Sequence, residues 1–421
     1  MLSETEQQPQ PDREVQVESV RSWRPARVIG ALRRLRLDRL LELLVWPDES
    51  IFWVAPAILA GRRLIRDRKP SAIVVFMMPY SAGLVGIALS RLSGRPLVLN
   101  LDDSPTCTDM HPHFPTRLHH RLARALEDFY VKRADAIVYV SQTNLDAVRA
   151  RQDPQSADKL HIVRYGADPR QSPASPRAEA DVRAAPNPEF EIAYVGAMSG
   201  WWALIEHGAR PGLARRLYAA WNRLGRHELV ALDHRTSSPA VIGRAIIAAI
   251  AEHRDWAGRI RMVAYGNPYA PEVVERALTA AGVEDVVRVF DPVAHEQVAA
   301  IVDRADLLFI TLPTRLDGSR GGRISAKTYE YLATDRPILA AVPRGENWDY
   351  LAEKPGVWLV APDDQQAMQK VLTELVAAKL SGSPLTFDRL SLAEEMSYAT
   401  RAREFSRVID LALEHRDQRA G

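Results

Sequence analysis

Cysteine is nearly absent: one thiol, Cys107, in 421 residues leaves no internal disulfide and suits a reducing, cytoplasmic compartment. Excess charge of one sign is missing too. The 55 basic and 53 acidic residues give a formal net charge of +2, so no global basic field argues for nucleic-acid binding. The opening residues, MLSETEQQPQPDREVQ, have neither the basic n-region nor the apolar core of a secretory signal. The longest apolar run lies between Ser71 and Leu89, and Pro79, Tyr80 and Ser81 divide it into a β-branched part and a helix-like part. A buried strand feeding a helix is expected there, not a membrane span. Coiled-coil heptads, internal repeats and metal-spaced Cys or His arrays are lacking as well, and no cofactor or metal is expected.

With 47% apolar and 26% charged residues, the chain can bury two cores. Its apolar pattern predicts strands alternating with helices, which implies parallel, doubly wound sheets. Strands are expected at 72–77, 96–101, 136–140 and 161–163 in the first half, with helices at 51–66, 82–92, 116–133 and 145–151. A short strand is expected at 15–20. The second half predicts strands at 190–195, 229–232, 260–264, 286–290, 307–312, 338–342 and 357–360. Helices are expected at 213–224, 240–252, 271–281, 295–304 and 364–380, with a short element at Tyr350. The chain then divides into a flexible tail (1–25), a first domain (26–168), a Pro- and Ala-rich linker (169–188), a second domain (189–385) and a terminal segment (386–421) that reads as one helix over 390–415. Residues 24–44 carry arginines among leucines near helical spacing. A basic amphipathic helix of this kind suits peripheral contact with an anionic inner membrane face; packing on its own domain with arginines in solvent fits the same pattern.

Ligands of doubly wound sheets gather beyond the carboxyl ends of the strands. That places Pro79–Ser81, 102–109, 141–143 and 166–168 along one edge. Gly196 and Gly266 each close a strand of the second half, where a side chain would obstruct a ligand. Most telling is DGSRGGRISAKTYEYLATDRPILAAVP, from Asp317 to Pro343. Gly318, Gly321 and Gly322 precede a helix N-capped by Ser325, and Arg320, Arg323 and Lys327 add charge: the layout of a phosphate cradle. Lys327 and Glu330 share a helix face, so Glu330 can accept from ribose hydroxyls when a diphosphate sits at the helix start. A flexible turn followed by a solvated Lys–Glu pair fits the same letters.

This stretch, with PDESIFWVAPAILAGRRLI, MMPYSAGLVGIALSRLSGRPLVLNLDD and ADAIVYVSQTN in the first half, resembles the nucleotide-sugar glycosyltransferases of GT-B fold, family 4 type. The resemblance implies two Rossmann-like domains facing a cleft, with the donor sugar nucleotide held by the second and the last helix crossing back to the first. It makes Glu330 the ribose ligand and aligns Asp103 with a family aspartate, the candidate base should the reaction invert; it favours retention. Three departures stand out. The family's usual opening strand and glycine-rich turn do not fit before Trp53, which implies a missing first unit or an upstream start. Ala197, Met198 and Ser199 replace the Arg and Lys that many relatives place after the first donor loop, so Arg320, Arg323 and Lys327 take that role. Gly322 stands where the family has a glutamate holding the donor sugar, and Asp317 is the nearest substitute.

The loop LDDSPTCTDMHPHFP crowds Asp102, Asp103, Cys107, Asp109, His111 and His113, but its spacing fits no structural zinc pattern. The expected function is sugar transfer from a nucleoside-diphosphate sugar to a saccharide or lipid-linked acceptor, in polysaccharide synthesis. The alternatives are a nucleotide-sugar epimerase of the same architecture and a non-catalytic partner in polysaccharide assembly.

Overall fold

The computed structural model of the chain describes residues 16–106, 109, 112–168, 190–198, 212–267, 269–383 and 385–420. Residues 1–15 of the expected tail, the expected linker, Cys107 and His111 lie outside them. The first lobe begins with α1 (Ala26–Arg34), α2 (Asp38–Leu44) and α3 (Ile51–Arg68). There follow β1 (Ile73–Phe76), α4 (Ala82–Ser93), β2 (Leu97–Asp102), β3 (His113–Phe114), α5 (Arg117–Arg133), β4 (Ala136–Tyr139), α6 (Gln142–Arg149), α7 (Pro154–Ala157) and β5 (Leu160–Ile162). A parallel sheet in the order β1-β2-β4-β5 forms its centre. Leu97, Leu99, Ile137 and Tyr139 are fully buried there, which is why the central strands carry near-continuous apolar runs.

In the second lobe, β6 (Phe190–Val195), α8 (Leu213–Arg223), β7 (His227–Glu228), β8 (Leu232–Asp233), α9 (Pro239–Glu252), β9 (Ile260–Tyr265), α10 (Pro271–Ala281) and β10 (Val287–Phe290) come first. They lead to α11 (His295–Arg304), β11 (Leu307–Thr311), β12 (Thr314–Arg315), α12 (Ala326–Leu332), β13 (Ile338–Ala341), α13 (Glu346–Leu351), β14 (Val357–Val360) and α14 (Gln365–Leu380). Six parallel strands run in the order β10-β9-β6-β11-β13-β14. The sheets of both lobes are thus parallel and helix-covered, the architecture of two Rossmann-like units. No helix among the described residues is long and apolar enough to cross a membrane.

Four local expectations need correction. Residues 16–20 form no strand. The basic segment 24–44 is two helices: Arg36 adopts φ 57°, and Leu37 N–H bonds Leu32 O at 2.9 Å, a Schellman closure that ends α1. The strand expected at 229–232 is replaced by β7 and β8. Its Leu229 N–H is drawn instead to Pro112 O of the first lobe at 2.7 Å, while β7 pairs with β3 across the lobes. The terminal segment is α15 (Leu390–Glu395) and α16 (Tyr398–Ala420). It breaks where Ala167 N–H bonds Met396 O (3.0 Å) and Tyr398 N–H bonds Ala167 O (3.2 Å). Ala393 and Met396 pack in the second lobe, while Val408 and Ala412 pack on Val98, Ala136 and Val138 of the first.

Arg389, only 4% exposed, anchors α15. Its guanidinium donates to the carbonyls of Pro355 (2.8 Å), Thr334 (2.7 Å) and Arg336 (2.8 Å), with longer bonds to Tyr331 and Gly356. Burial lowers its pKa to about 10. Replacing it by leucine leaves several buried carbonyls unpaired. Arg389→Leu is expected to cost roughly 3 kcal/mol in urea unfolding; a loss under about 0.5 kcal/mol would show that water replaces the bonds.

Candidate functional site: the cleft between the lobes

On the second lobe, β6 and β9 end side by side in two tight turns. Gly196 (φ 117°) and Gly266 (φ 107°) hold left-handed conformations that glycine alone tolerates well. A Cβ on Gly266 would stand 2.7 Å from the carbonyl carbon of Gly196, and one on Gly196 would stand 2.7 Å from Lys327 Nζ. The amine of Lys327 therefore lies directly over the paired strand ends. It also sits 5.0 Å from the ring centroid of Tyr194. Burial lowers its pKa, Glu330 on the next helical turn raises it, and Arg323 lowers it again. Lys327 forms no ion pair within 4.0 Å among the described residues, so it is a desolvated cation whose natural complement is an anion.

The loop before α12 serves a different neighbour. Gly321 pairs with Gly345, and Glu346 N–H bonds Gly321 O at 2.9 Å. A Cβ on Gly321 would meet Asp109 Oδ2 at 2.8 Å, and one on Gly322 would meet Thr143 Cβ at 2.8 Å and Ser141 Oγ at 3.1 Å. Both glycines thus lie against the first lobe. Ser325 occupies the N-cap position of the seven-residue α12, but its side chain makes no capping bond. Arg320 is exposed and paired with Asp349, and Asp317 accepts from Ser319 on the exposed loop.

Glu346 supplies the strongest link across the cleft, and no spacing in the sequence points to it. Its carboxylate accepts from Ser141 Oγ (2.6 Å), Gln142 N (2.8 Å), Thr143 N (3.0 Å) and Arg164 Nη1 (2.9 Å). It thereby caps α6 from the opposite lobe, where the helix offers unsatisfied donors and partial positive charge. Burial alone would raise the Glu346 pKa, but the Ser141 hydroxyl, the two backbone N–H groups and Arg164 outweigh it and hold it below the usual range. A second link joins Arg315 to Asp109. Glu346 thus reaches the same Ser141 hydroxyl that a side chain at position 322 would meet.

At the first-lobe edge, β2 ends in a bulge with Asp102 at φ 56°, a left-handed conformation that is uncommon outside glycine and that aspartate tolerates better than most residues. Asn100 Nδ2 donates to Asp102 Oδ1 at 2.8 Å. Asp103 follows and accepts from Asn144 Nδ2 at 3.1 Å. Burial pushes its pKa up to about 6; Arg323 of the second lobe lowers it, while Asp102, Asp109 and Glu346 raise it. Arg323 also acts on Tyr194, His234 and Lys327. The structure therefore brings Asp103, Gly196, Gly266, Arg323, Lys327 and Glu330 to one cleft and sets Arg320 apart. His113 lies on β3 with its Nε2 3.1 Å from Arg226, and no group able to hold a metal occurs among the described residues.

Comparisons with known proteins agree with this architecture. Residues 2–166 match the model of the glycosyl transferase 4-like domain. The fold is GT-B. HepE of Anabaena, solved with UDP, shares 14% identity at a TM-score of 0.56, covering 85% of this chain and 82% of that one. A glycosyltransferase of Rickettsia africae shares 11% at 0.54, covering 86% and 82%. Sucrose-phosphate synthase of Thermosynechococcus elongatus shares 12% at 0.54, covering 86% and 79%. A search of curated sequences gave no match.

Two variants probe the cleft carboxylates. Because the Asp103 pKa is raised on folding, the folded state binds its proton more tightly. Stability is then lost as pH rises from the unfolded value of about 4 through about 6. Asp103→Asn should therefore gain about 2 kcal/mol over wild type at pH 7 and nothing below pH 4 in denaturant titrations; an equal effect at both pH values would refute the shift. Glu346 has the opposite sign: its lowered pKa adds stability above the unfolded value that disappears as pH falls below it. Glu346→Ala should cost about 3 kcal/mol at pH 7 and enlarge the radius of gyration in small-angle scattering. An unchanged radius would mean that other contacts hold the lobes.

Proposed function

We propose that the protein is a glycosyltransferase that takes its sugar from a nucleoside-diphosphate sugar. The observation that carries this reading is the desolvated Lys327 amine, without an ion pair among the described residues, over the glycine ends of β6 and β9, with Glu330 one turn along α12. A diphosphate fits the amine and Arg323, while the ribose hydroxyls fit the Glu330 carboxylate. UDP is the first nucleotide to test, since HepE was solved with UDP and with UDP-glucose.

As the bond between the anomeric carbon and the diphosphate breaks, negative charge grows on the leaving oxygen. Lys327 and Arg323, already placed in a partly dry cleft, stabilise that charge without reorganising. Arg320 takes no part, being paired on the exterior. The acceptor, a saccharide or lipid-linked saccharide, enters along the first-lobe edge, and its hydroxyl replaces the diphosphate on the anomeric carbon. Asp103, with a pKa of about 6, is ionised at neutral pH and orients that hydroxyl. In an inverting reaction it also takes the proton. The resemblance favours retention, in which the leaving diphosphate oxygen takes it instead; the product anomer decides between the two. Gly322 supports one rival, a nucleotide-binding partner without catalysis.

Calorimetry with UDP and GDP tests the donor site. Lys327→Ala should weaken the better nucleotide about 30-fold and Glu330→Ala about tenfold, the scale of a lost charge-assisted bond. If neither nucleotide binds, or if both variants bind as wild type does, the donor assignment is wrong. Nucleotide binding with neither transfer nor hydrolysis of the donor would favour the non-catalytic rival.

A further inference from the structure

Two amphipathic helices from distant parts of the chain meet on one surface. Tyr218 OH of α8 donates to Asp38 at 2.8 Å, Arg36 lies 5.8 Å from the Tyr218 ring, and Arg39 of α2 donates to Leu224 O at 2.8 Å. Around this junction large apolar side chains face solvent: Leu35 (68% exposed), Leu44 (78%), Leu213 (74%), Leu217 (63%) and Leu224 (66%). Leu35 and Leu217 are the immediate chain neighbours of the junction residues Arg36 and Tyr218, and Leu224 is itself one of those residues. No described side chain of α8 is buried, although the helix carries leucines, a tyrosine and a tryptophan. Burial within the described fold does not account for this apolar content, and clustered exposed leucines mark a binding surface.

Charge identifies the partner. Neither α1 nor α8 contains an acidic residue. Of the neighbouring acids, Glu42 is paired with Arg39 and Arg226 and Glu49 with Arg24 and Arg33, while Asp38 accepts from Tyr218 OH and keeps its charge. Arg27, Arg34, Arg216 and Arg223 are exposed and have no ion-pair partner among the described residues. Leucines interspersed with uncompensated arginines complement a surface that is anionic outside and apolar beneath. We propose that α1, α2 and α8 together dock on an anionic phospholipid bilayer. Arg39 is excluded from that role: it is 2% exposed and ties α2 to Pro115 and Leu224. The contact is thus a composite of both lobes, and it does not depend on the sugar-nucleotide reading.

Vesicle flotation of the full chain, without nucleotide, tests it. Vesicles of equal parts phosphatidylcholine and phosphatidylglycerol should carry the protein at low salt, with binding falling as salt rises; pure phosphatidylcholine should bind far less. Arg216→Gln and Arg223→Gln should each lower partitioning about fivefold. Leu213→Ser combined with Leu217→Ser should lower it roughly tenfold while leaving the melting temperature unchanged. Absent or charge-independent binding overturns the proposal. So does a serine pair that lowers the melting temperature, which would mean that the chain's own residues cover the face, or one that abolishes self-association, which would make a second copy the occupant.

Discussion

The cleft depends on one carboxylate capping a helix that belongs to the other lobe. Glu346 opens α13 and meets the first turn of α6, where Gln142 and Thr143 present backbone N–H groups. Such a bond forms only if the two backbones approach closely, and Gly321 and Gly322 permit it. A side chain at either position would push into Asp109 or Thr143. The glycine pair thus permits this close approach of the lobes. Arg323 follows immediately, so the same approach that seats Glu346 also brings a guanidinium toward Asp103.

The cleft's charges sort by whether the protein already pairs them. Arg164 is bonded to Glu346 and Arg315 to Asp109, both within salt-bridge distance. These pairs are structural. Asp103, Arg323, Lys327 and Glu330 influence one another electrostatically but form no salt bridge among the described residues. Partly buried charges left unclosed are costly unless a ligand or water meets them. Their arrangement, cations at the strand ends and carboxylates at either margin, matches a ligand with an anionic middle and hydroxyl-bearing flanks. A nucleoside-diphosphate sugar has that distribution.

The strands of both main sheets were legible in the sequence to within one residue at each end, the central ones because strands buried on both faces are near-continuously apolar. The breaks were not. Arg36 turns left-handed under a local closure hidden among leucines, and the α15–α16 break is made by Ala167, over two hundred residues away in sequence. β7 misleads for a related reason, since its hydrogen-bond partners come from the other lobe. In the cleft, Gly196, Gly266, Lys327 and Glu330 carried a signal because strand-end glycines and one-turn helical spacing are local patterns. Glu346 carried none. Its partners lie in another lobe, and a glutamate opening a short helix is common for unrelated reasons.

Gly322 makes the same point in chemical terms. In the family it resembles, a glutamate at that position helps to hold the donor sugar; here the carboxylate reaches the region from Glu346. A carboxylate has about four acceptor sites, two on each oxygen. Glu346 Oε2 receives Ser141 Oγ and Thr143 N, while Oε1 receives Gln142 N and Arg164. Every site is filled. With the lobes clasped in this way, Glu346 has no lone pair left for a sugar hydroxyl. The Glu346 carboxylate is therefore fully occupied in holding the two lobes together.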